Sequence, residues 1–448
     1  MIELLKNSNY KRILPLVLLL AYPLVGGSLH LCMMILSCLF CWFFHPSAAL
    51  VASISTCLGL VMFQHVSIWE AQTILCSHPV LLLVVGCLMA EVITKNKIHL
   101  VVSSFLLKTF RPSTELRLVL IMLGISGLIS MWVSNTSVVA MLIPVVLHLS
   151  KSNDIGCEYL LLSIAYGATI GGMLTPIGTP ANLVAIDYAS RYFHIEIDFI
   201  TWVLWALPFV VLLASMLALY FYRVMDDQPL STTYTQQKVT YVQKRVMQLF
   251  GGCIFLWATQ TFPNGGWSAW LGYHIKEEYI GMVAILLCAL LQDQSHRAVV
   301  LSDIKRLPFT SIWMVITGIF MASGIENYGL VKQLIDFCLS DQWLYNYQTL
   351  ILFGMLMSSV TELCNNTAIT ALGLPLSDIM MKLSHLEVLP CIFLITFSAN
   401  SAFSLPTATP PNALILGTGR LQAKKLLWVG AQVSFYSLLI LTILFSCI

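Results

Sequence analysis

Two stretches, residues 131–144 (MWVSNTSVVAMLIP) and 362–375 (ELCNNTAITALGLP), carry the same polar tip inside apolar sequence. Ser134-Asn135-Thr136 with Ala140 and Pro144 aligns with Asn365-Asn366-Thr367, Ala371 and Pro375 at one offset of about 231 positions. A second pair follows each tip. Pro176, Thr179, Pro180 and Asn182 of TPIGTPAN (175–182) match Pro406, Thr409, Pro410 and Asn412 of LPTATPPN (405–412), with the offset shorter by about one. Upstream, Gly86 and Met89 pair with Gly318 and Met321. Three collinear blocks therefore repeat in one order: a span, a hairpin and a broken span.

The sequence around these blocks calls for lipid. Of 448 residues, 58% are hydrophobic and only 10% charged, with a mean hydropathy of +0.84; water would find little to solvate. Apolar runs long enough to cross a hydrocarbon core of roughly 30 Å recur along the whole length with short polar breaks, which predicts one integral membrane unit. The net charge of +2 and the lack of a basic stripe exclude nucleic acid as a partner. Of the thirteen cysteines, Cys38 and Cys41 have CxxC spacing but no second ligand pair nearby, and read as small buried hydrophobes. Lys6, Lys11 and Arg12 precede an apolar run that lacks a small-x-small cleavage site, so the expectation is a retained first span.

The fold expected is all-α and polytopic, with about eleven crossings near 13–27, 29–44, 48–64, 78–107, 158–191, 200–223, 246–263, 279–292, 310–339, 388–419 and 425–447. Residues 67–74 read as an interfacial connector. The stretches 114–150 and 346–383 are too long for one simple span and too polar at their centres to face lipid, so both are read as re-entrant hairpins. Basic residues test that choice. With a cytoplasmic N-terminus, the inner side collects Lys95, Lys97, Lys108, Arg111, Lys151, Arg223, Lys244, Arg306 and Lys424 among others, and the outer side only Arg191, Lys276, Lys332 and Lys382. Counting either hairpin as a single crossing puts its downstream basic loops outside. The C-terminus is then expected outside the cell membrane. The organisation is a scaffold (1–77), a first repeat core (78–191), further scaffold helices and cytoplasmic loops (192–309), a second repeat core (310–419) and a C-terminal helix (420–448).

An odd number of crossings, about five, separates each element from its copy, so the second copy is expected to be inverted. Inverted repeats with interrupted helices are a transporter arrangement. A hairpin tip at membrane depth exposes helix-terminal N–H groups that attract an anion, and freed carbonyls that coordinate a cation. Asn, Ser and Thr add neutral oxygens and donors at a desolvation cost far below that of a buried Lys or Arg. Pro after Thr in GTP and ATP breaks the helix and frees carbonyls upstream.

At these residues the chain resembles the divalent anion:sodium symporter (DASS) family, which carries succinate, citrate, related dicarboxylates or sulfate. The motifs cover 78–448. The resemblance implies a homodimer that moves its substrate by an elevator motion of the hairpin-bearing half. It implies one sodium site near Ser130, Ser134, Asn135 and Gly178, and a second near Thr361, Cys364, Asn366 and Ala408. The substrate would lie between Asn135, Thr136, Thr179, Asn365, Asn366, Thr367, Thr409 and Pro410. No cofactor is implied beyond sodium as the coupling ion, and the chain is not expected to be an enzyme. Two departures from the family pattern bear on substrate choice: Asn365 stands where Ser is usual, and Ala181 where a second Pro is usual. Glu362, an acidic side chain at membrane depth, reads as a hydrogen-bonded structural carboxylate, with proton coupling as its alternative. A sodium-independent exchanger of the same fold stays open beside the symporter. A channel would show non-saturating flux, and an intramembrane enzyme would need a nucleophile with a base, which the sequence does not present.

Overall fold

The computed structural model describes residues 28–44, 48–153, 156–225, 228–230, 239–260, 266–272, 275–293, 296–328, 346–363, 365–384, 387–406 and 408–446. The expected first span (13–27), the C-terminal Ile448 and Cys364 lie outside the described residues.

Helices α1 (Ser28–Phe44), α2 (Ala49–Met62), α3 (Ile68–Leu75), α4 (His78–Lys95) and α5 (Ile98–Phe110) precede the first tip. The first block is α6 (Glu115–Ser130), α7 (Asn135–Asn153), α8 (Glu158–Gly172) and α9 (Pro180–Phe193). Next come α10 (Phe199–Val224), α11 (Tyr241–Ala258), α12 (Gly266–Leu271) and α13 (Glu277–Ala289). A small antiparallel ladder of β1 (Gln292–Asp293) with β2 (His296–Arg297) and a 3-10 turn (Leu301–Arg306) lead to α14 (Phe309–Asn327). The second block is α15 (Asn346–Thr361), α16 (Asn366–Gly373), α17 (Ser377–Ser384), α18 (Val388–Asn400) and α19 (Pro410–Gly417), and α20 (Ala423–Ser446) follows. The fold is all-α, as the apolar pattern requires. Among the described residues, Ile68–Lys95, Phe199–Val224 and Ala423–Phe445 are long and apolar enough to cross a membrane; several shorter apolar helices accompany them.

Local chemistry sets the helix ends. Ser67 accepts from Glu70 N and starts α3, so the weakly amphipathic connector is helical. Asp198 accepts from Thr201 N at α10, and Thr240 with Gln243 forms a capping box at α11. The stretch 78–107, expected as one crossing, is two helices. Asn96 donates back to Val92 O at 2.8 Å and across to Ala298 O at 3.0 Å, and Lys97 takes a left-handed conformation with φ 54°. Together these terminate α4 and start α5 in a new direction.

The two blocks interlock reciprocally. Within each, the helix before the tip packs on the helix before the break: α6 on α8, and α15 on α18. Between them, the helix after each break packs on the other block's tip helix: α9 on α16, and α19 on α7. The α6–α8 crossing is close enough that Gly127 faces Gly171 backbone to backbone, leaving no room for a Cβ at Gly171. Charged pairs join helix ends: Lys95 with Asp303 at 2.7 Å, Lys425 with Glu158 at 2.7 Å, and His78 with Glu278 at 2.5 Å. Cys38 and Cys41 are both buried.

Candidate functional site

The first tip is the short segment between α6 and α7. Ser130, fully buried at the end of α6, donates from Oγ to Asn135 Oδ1 at 2.7 Å and lies 3.4 Å from Val133 O. One hydroxyl proton thus faces two oxygens, a donor-poor cluster of neutral oxygens suited to a hard monovalent cation. The Asn135 amide rests on Gly172 so closely that a Cβ there would overlap Oδ1.

Gly172 ends α8 and opens the first break. Asn182 Nδ2 donates to Gly172 O at 3.1 Å and to Thr175 O at 2.8 Å, holding the carbonyl that ends α8 and one within the break. Thr175 Oγ1 donates to Met131 O at 2.5 Å, which ties break to tip. Gly178 sits against the Gly172 backbone, again with no space for a Cβ. Thr179 is extended (φ −140°, ψ 141°) and Pro180 restarts the chain as the first residue of α9, where a missing N–H costs nothing.

The second tip repeats the first. Thr361 Oγ1 lies 3.0 Å from Asn366 Oδ1 and 2.5 Å from Ala399 O, so one proton again faces two oxygens. The spacing Thr361–Asn366 equals that of Ser130–Asn135. Asn365 caps α16: its side chain accepts from Thr367 N at 2.9 Å. Its Oδ1 is thereby engaged, and its amide N–H groups remain at an exposed tip position.

The second break runs from Ser401 to Thr409. Asn412 Nδ2 donates to Leu405 O at 3.1 Å, seven residues back, as Asn182 does to Thr175. Thr409 has φ −139° and ψ 144°, and Pro410 starts α19. Glu362 fills the concave side of this break. Its carboxylate accepts from the N–H groups of Phe403, Ser404 and Leu405, each at 3.0 Å, and from the hydroxyls of Ser404 at 2.8 Å and Ser434 at 3.0 Å. These backbone donors form an anion nest, which this side chain occupies.

Of the residues singled out from sequence, Ser130, Asn135 and Gly178 come together around Gly172, and Thr361 and Asn366 come together at Ala399. Ser134 is exposed and bonds Ser137 Oγ at 2.8 Å. Ala408 N donates to Leu405 O at 3.2 Å within the break, and its carbonyl is not among the atoms bonded to Thr361. Thr179, Thr367 and Thr409 are buried, Thr136 is half-buried and Pro410 exposed. Sequence reasoning did not single out Gly172 and Ala399, whose backbone atoms contact these side chains. Asn182 lay in a quoted motif but outside the expected site.

Paired tips and breaks inside an all-helical apolar fold define a membrane transporter. The chain matches the citrate transporter family (CitMHS) over residues 39–397, well over half its length, and belongs to that family. It is 26% identical over 389 residues to the sodium-dependent dicarboxylate transporter SdcS of Staphylococcus saprophyticus, covering 80% of this chain and 74% of that protein. It is 27% identical over 387 residues to SdcS of Staphylococcus aureus strain USA300, covering 80% and 73%. Its fold is also similar to the YdaH transporter of Alcanivorax borkumensis, with a TM-score of 0.58 at 14% identity over 82% of this chain and 84% of that one.

Proposed function

We propose that the chain is a secondary active transporter that imports small divalent anions, C4-dicarboxylates such as succinate, with citrate and sulfate as further candidates, coupled to sodium. The observation that carries this reading is the matched pair of oxygen clusters, Ser130–Asn135 and Thr361–Asn366, each beside a helix break. Neutral oxygens with too few protons favour a small cation. Bound cations in turn offset the charge of an anion held between the tips. The names of the SdcS relatives, sodium-dependent dicarboxylate transporters, support the same substrate class and coupling ion.

In this reading the substrate contacts are Asn135, Thr136, Thr179, Asn365, Asn366, Thr367, Thr409 and Pro410, and the two blocks are inverted copies that move against a dimeric scaffold. The Asn366, Thr361 and Ala399 oxygens form the second cation site. Residues 78–191 and 310–419 make up the moving half, with the N-terminus cytoplasmic and the C-terminus outside. Glu362 is structural, because every oxygen it offers is already engaged by the second break.

The test is uptake by proteoliposomes containing the purified chain, offered a panel of labelled anions with an inward sodium gradient or with choline. Succinate uptake stimulated by sodium and saturating with substrate supports the reading. Equal uptake in both salts, with trans-stimulation by internal anion, would move the chain to the exchangers.

A further inference from the structure

We propose that Asn400 is a positioning residue that couples the two cation sites, a role that rests on the transport reading above. Asn400 ends α18 and is 1% exposed; Asn182, at the start of α9, is fully buried. Asn400 Nδ2 donates to Asn182 Oδ1 at 3.1 Å, a direct hydrogen bond between the two blocks.

Both ends of that bond reach a cation site in two further steps. On one side, Asn182 Nδ2 holds Gly172 O and Thr175 O, and Gly172 bears on the Asn135 amide and on Gly178. On the other side, Ala399, the residue before Asn400, gives its carbonyl to Thr361 Oγ1, which faces Asn366 Oδ1. A displacement of Ala399 and Asn400 when the second site fills is therefore passed to the carbonyls that shape the first.

Among the described residues the link exists once, although the blocks repeat in sequence. At the repeat offset of about 230, the position equivalent to Asn400 is Ile170, which has no amide. The acceptor equivalent to Asn182 Oδ1 is Asn412 Oδ1, which is buried without a hydrogen-bond partner among the described residues. Asn400 Oδ1 is likewise without one. Leucine has the same branching as Asn400 and would remove its unpartnered oxygen, but would leave Asn182 Oδ1 without a donor. What leucine cannot do is hold Asn182.

The experiment uses the full chain in proteoliposomes, as parent, Asn400→Leu and Asn400→Ala, with labelled succinate uptake measured over a sodium series and KM for succinate at saturating sodium. Loss of one buried hydrogen bond should raise the half-saturating sodium concentration about 2- to 10-fold. The sodium curve should flatten toward a Hill coefficient of 1 while KM at saturating sodium stays within about 2-fold. A lower maximal rate with the parental sodium midpoint and slope would show a merely structural role and overturn the proposal. If a variant inserts poorly, sodium-induced stabilisation of the detergent-purified protein gives a second readout. A smaller rise in Tm than the parent's supports coupling, and an equal rise contradicts it. A parent without sodium stimulation sinks the transport reading and this proposal together. A sodium-stimulated parent with unshifted variants sinks this proposal alone.

Discussion

Ser130 Oγ donates to Asn135 Oδ1 at 2.7 Å across the first tip. The bond spans five residues, from the last residue of one helix to the first of the next. Thr361 and Asn366 stand at 3.0 Å across the second tip at the same spacing. A serine in one copy and a threonine in the other supply the same hydroxyl to the same amide oxygen, which ties the chemistry of the tips to their shape.

Asn135→Ala removes an oxygen from the first cluster and the partner of Ser130. Apparent sodium affinity should fall, and substrate affinity with it, because cation and anion interact across a short distance. A hydrogen bond or ligand to a charged group contributes about 1.5–3 kcal/mol, so the half-saturating sodium concentration should rise roughly ten- to a hundredfold. Sodium titration of succinate uptake measures it. An unchanged midpoint would place the cation elsewhere.

Asn365 offers a selectivity test whose form the structure sharpens. Its Oδ1 caps Thr367 N, so only its amide N–H groups are left for an anion. Serine also caps a helix well, so Asn365→Ser should keep α16 in place while opening space at the tip. Uptake competition with a ladder of mono-, di- and tricarboxylates and sulfate should then show bulkier carboxylates gaining relative to succinate. The same rank order in parent and variant would mean that this side chain points away from the substrate.

The repeat motifs made the site's outline legible, because proline and asparagine at helix breaks leave a periodic mark in sequence. Asn135 and Asn366 followed from that mark, and Ser130 and Thr361 from the family resemblance. Ala399 and Gly172 did not, since a backbone carbonyl and a missing Cβ look the same in any apolar helix. The family resemblance implied Ala408 at the second cation site; its N–H donates to Leu405 O within the break, and Thr361 bonds the Ala399 carbonyl at the end of α18. The division of 78–110 at Asn96 was also hidden. Part of its cause is a tertiary bond to Ala298 O, and hydrophobic periodicity carries no trace of that contact.

Glu362 accepts from three backbone N–H groups and two hydroxyls of the second break and α20. Glu362→Gln replaces one acceptor oxygen with an N–H₂ group that faces those donors. The purified protein should lose about 1.5–3 kcal/mol of stability, the contribution of one charge-assisted bond, read as a lower Tm. A parental Tm combined with altered pH dependence of uptake would instead favour proton coupling.

Asp303, in the turn between α13 and α14, gives a pH dependence of stability. Burial alone would raise its carboxyl pKa. The Lys95 ammonium at 2.7 Å, the Val300 N–H and the Arg306 guanidinium outweigh burial and hold it below the usual carboxylate value. A depressed folded-state pKa means that the stabilisation is present above the unfolded value of about 3.9 and disappears as pH falls through the folded one. Asp303→Asn should therefore lower Tm at pH 7, with the gap closing in strongly acid buffer. A gap independent of pH down to about 3 would show that the carboxylate charge contributes nothing.

If sodium drives the anion uphill, uptake must be concentrative. Proteoliposomes holding the parent chain would be given labelled succinate and an inward sodium gradient, and internal succinate would be followed over time. Internal succinate should overshoot the external concentration, and a sodium ionophore that collapses the gradient should abolish the overshoot. Internal succinate that only ever approaches the external level, with the same time course with and without the ionophore, would contradict sodium coupling.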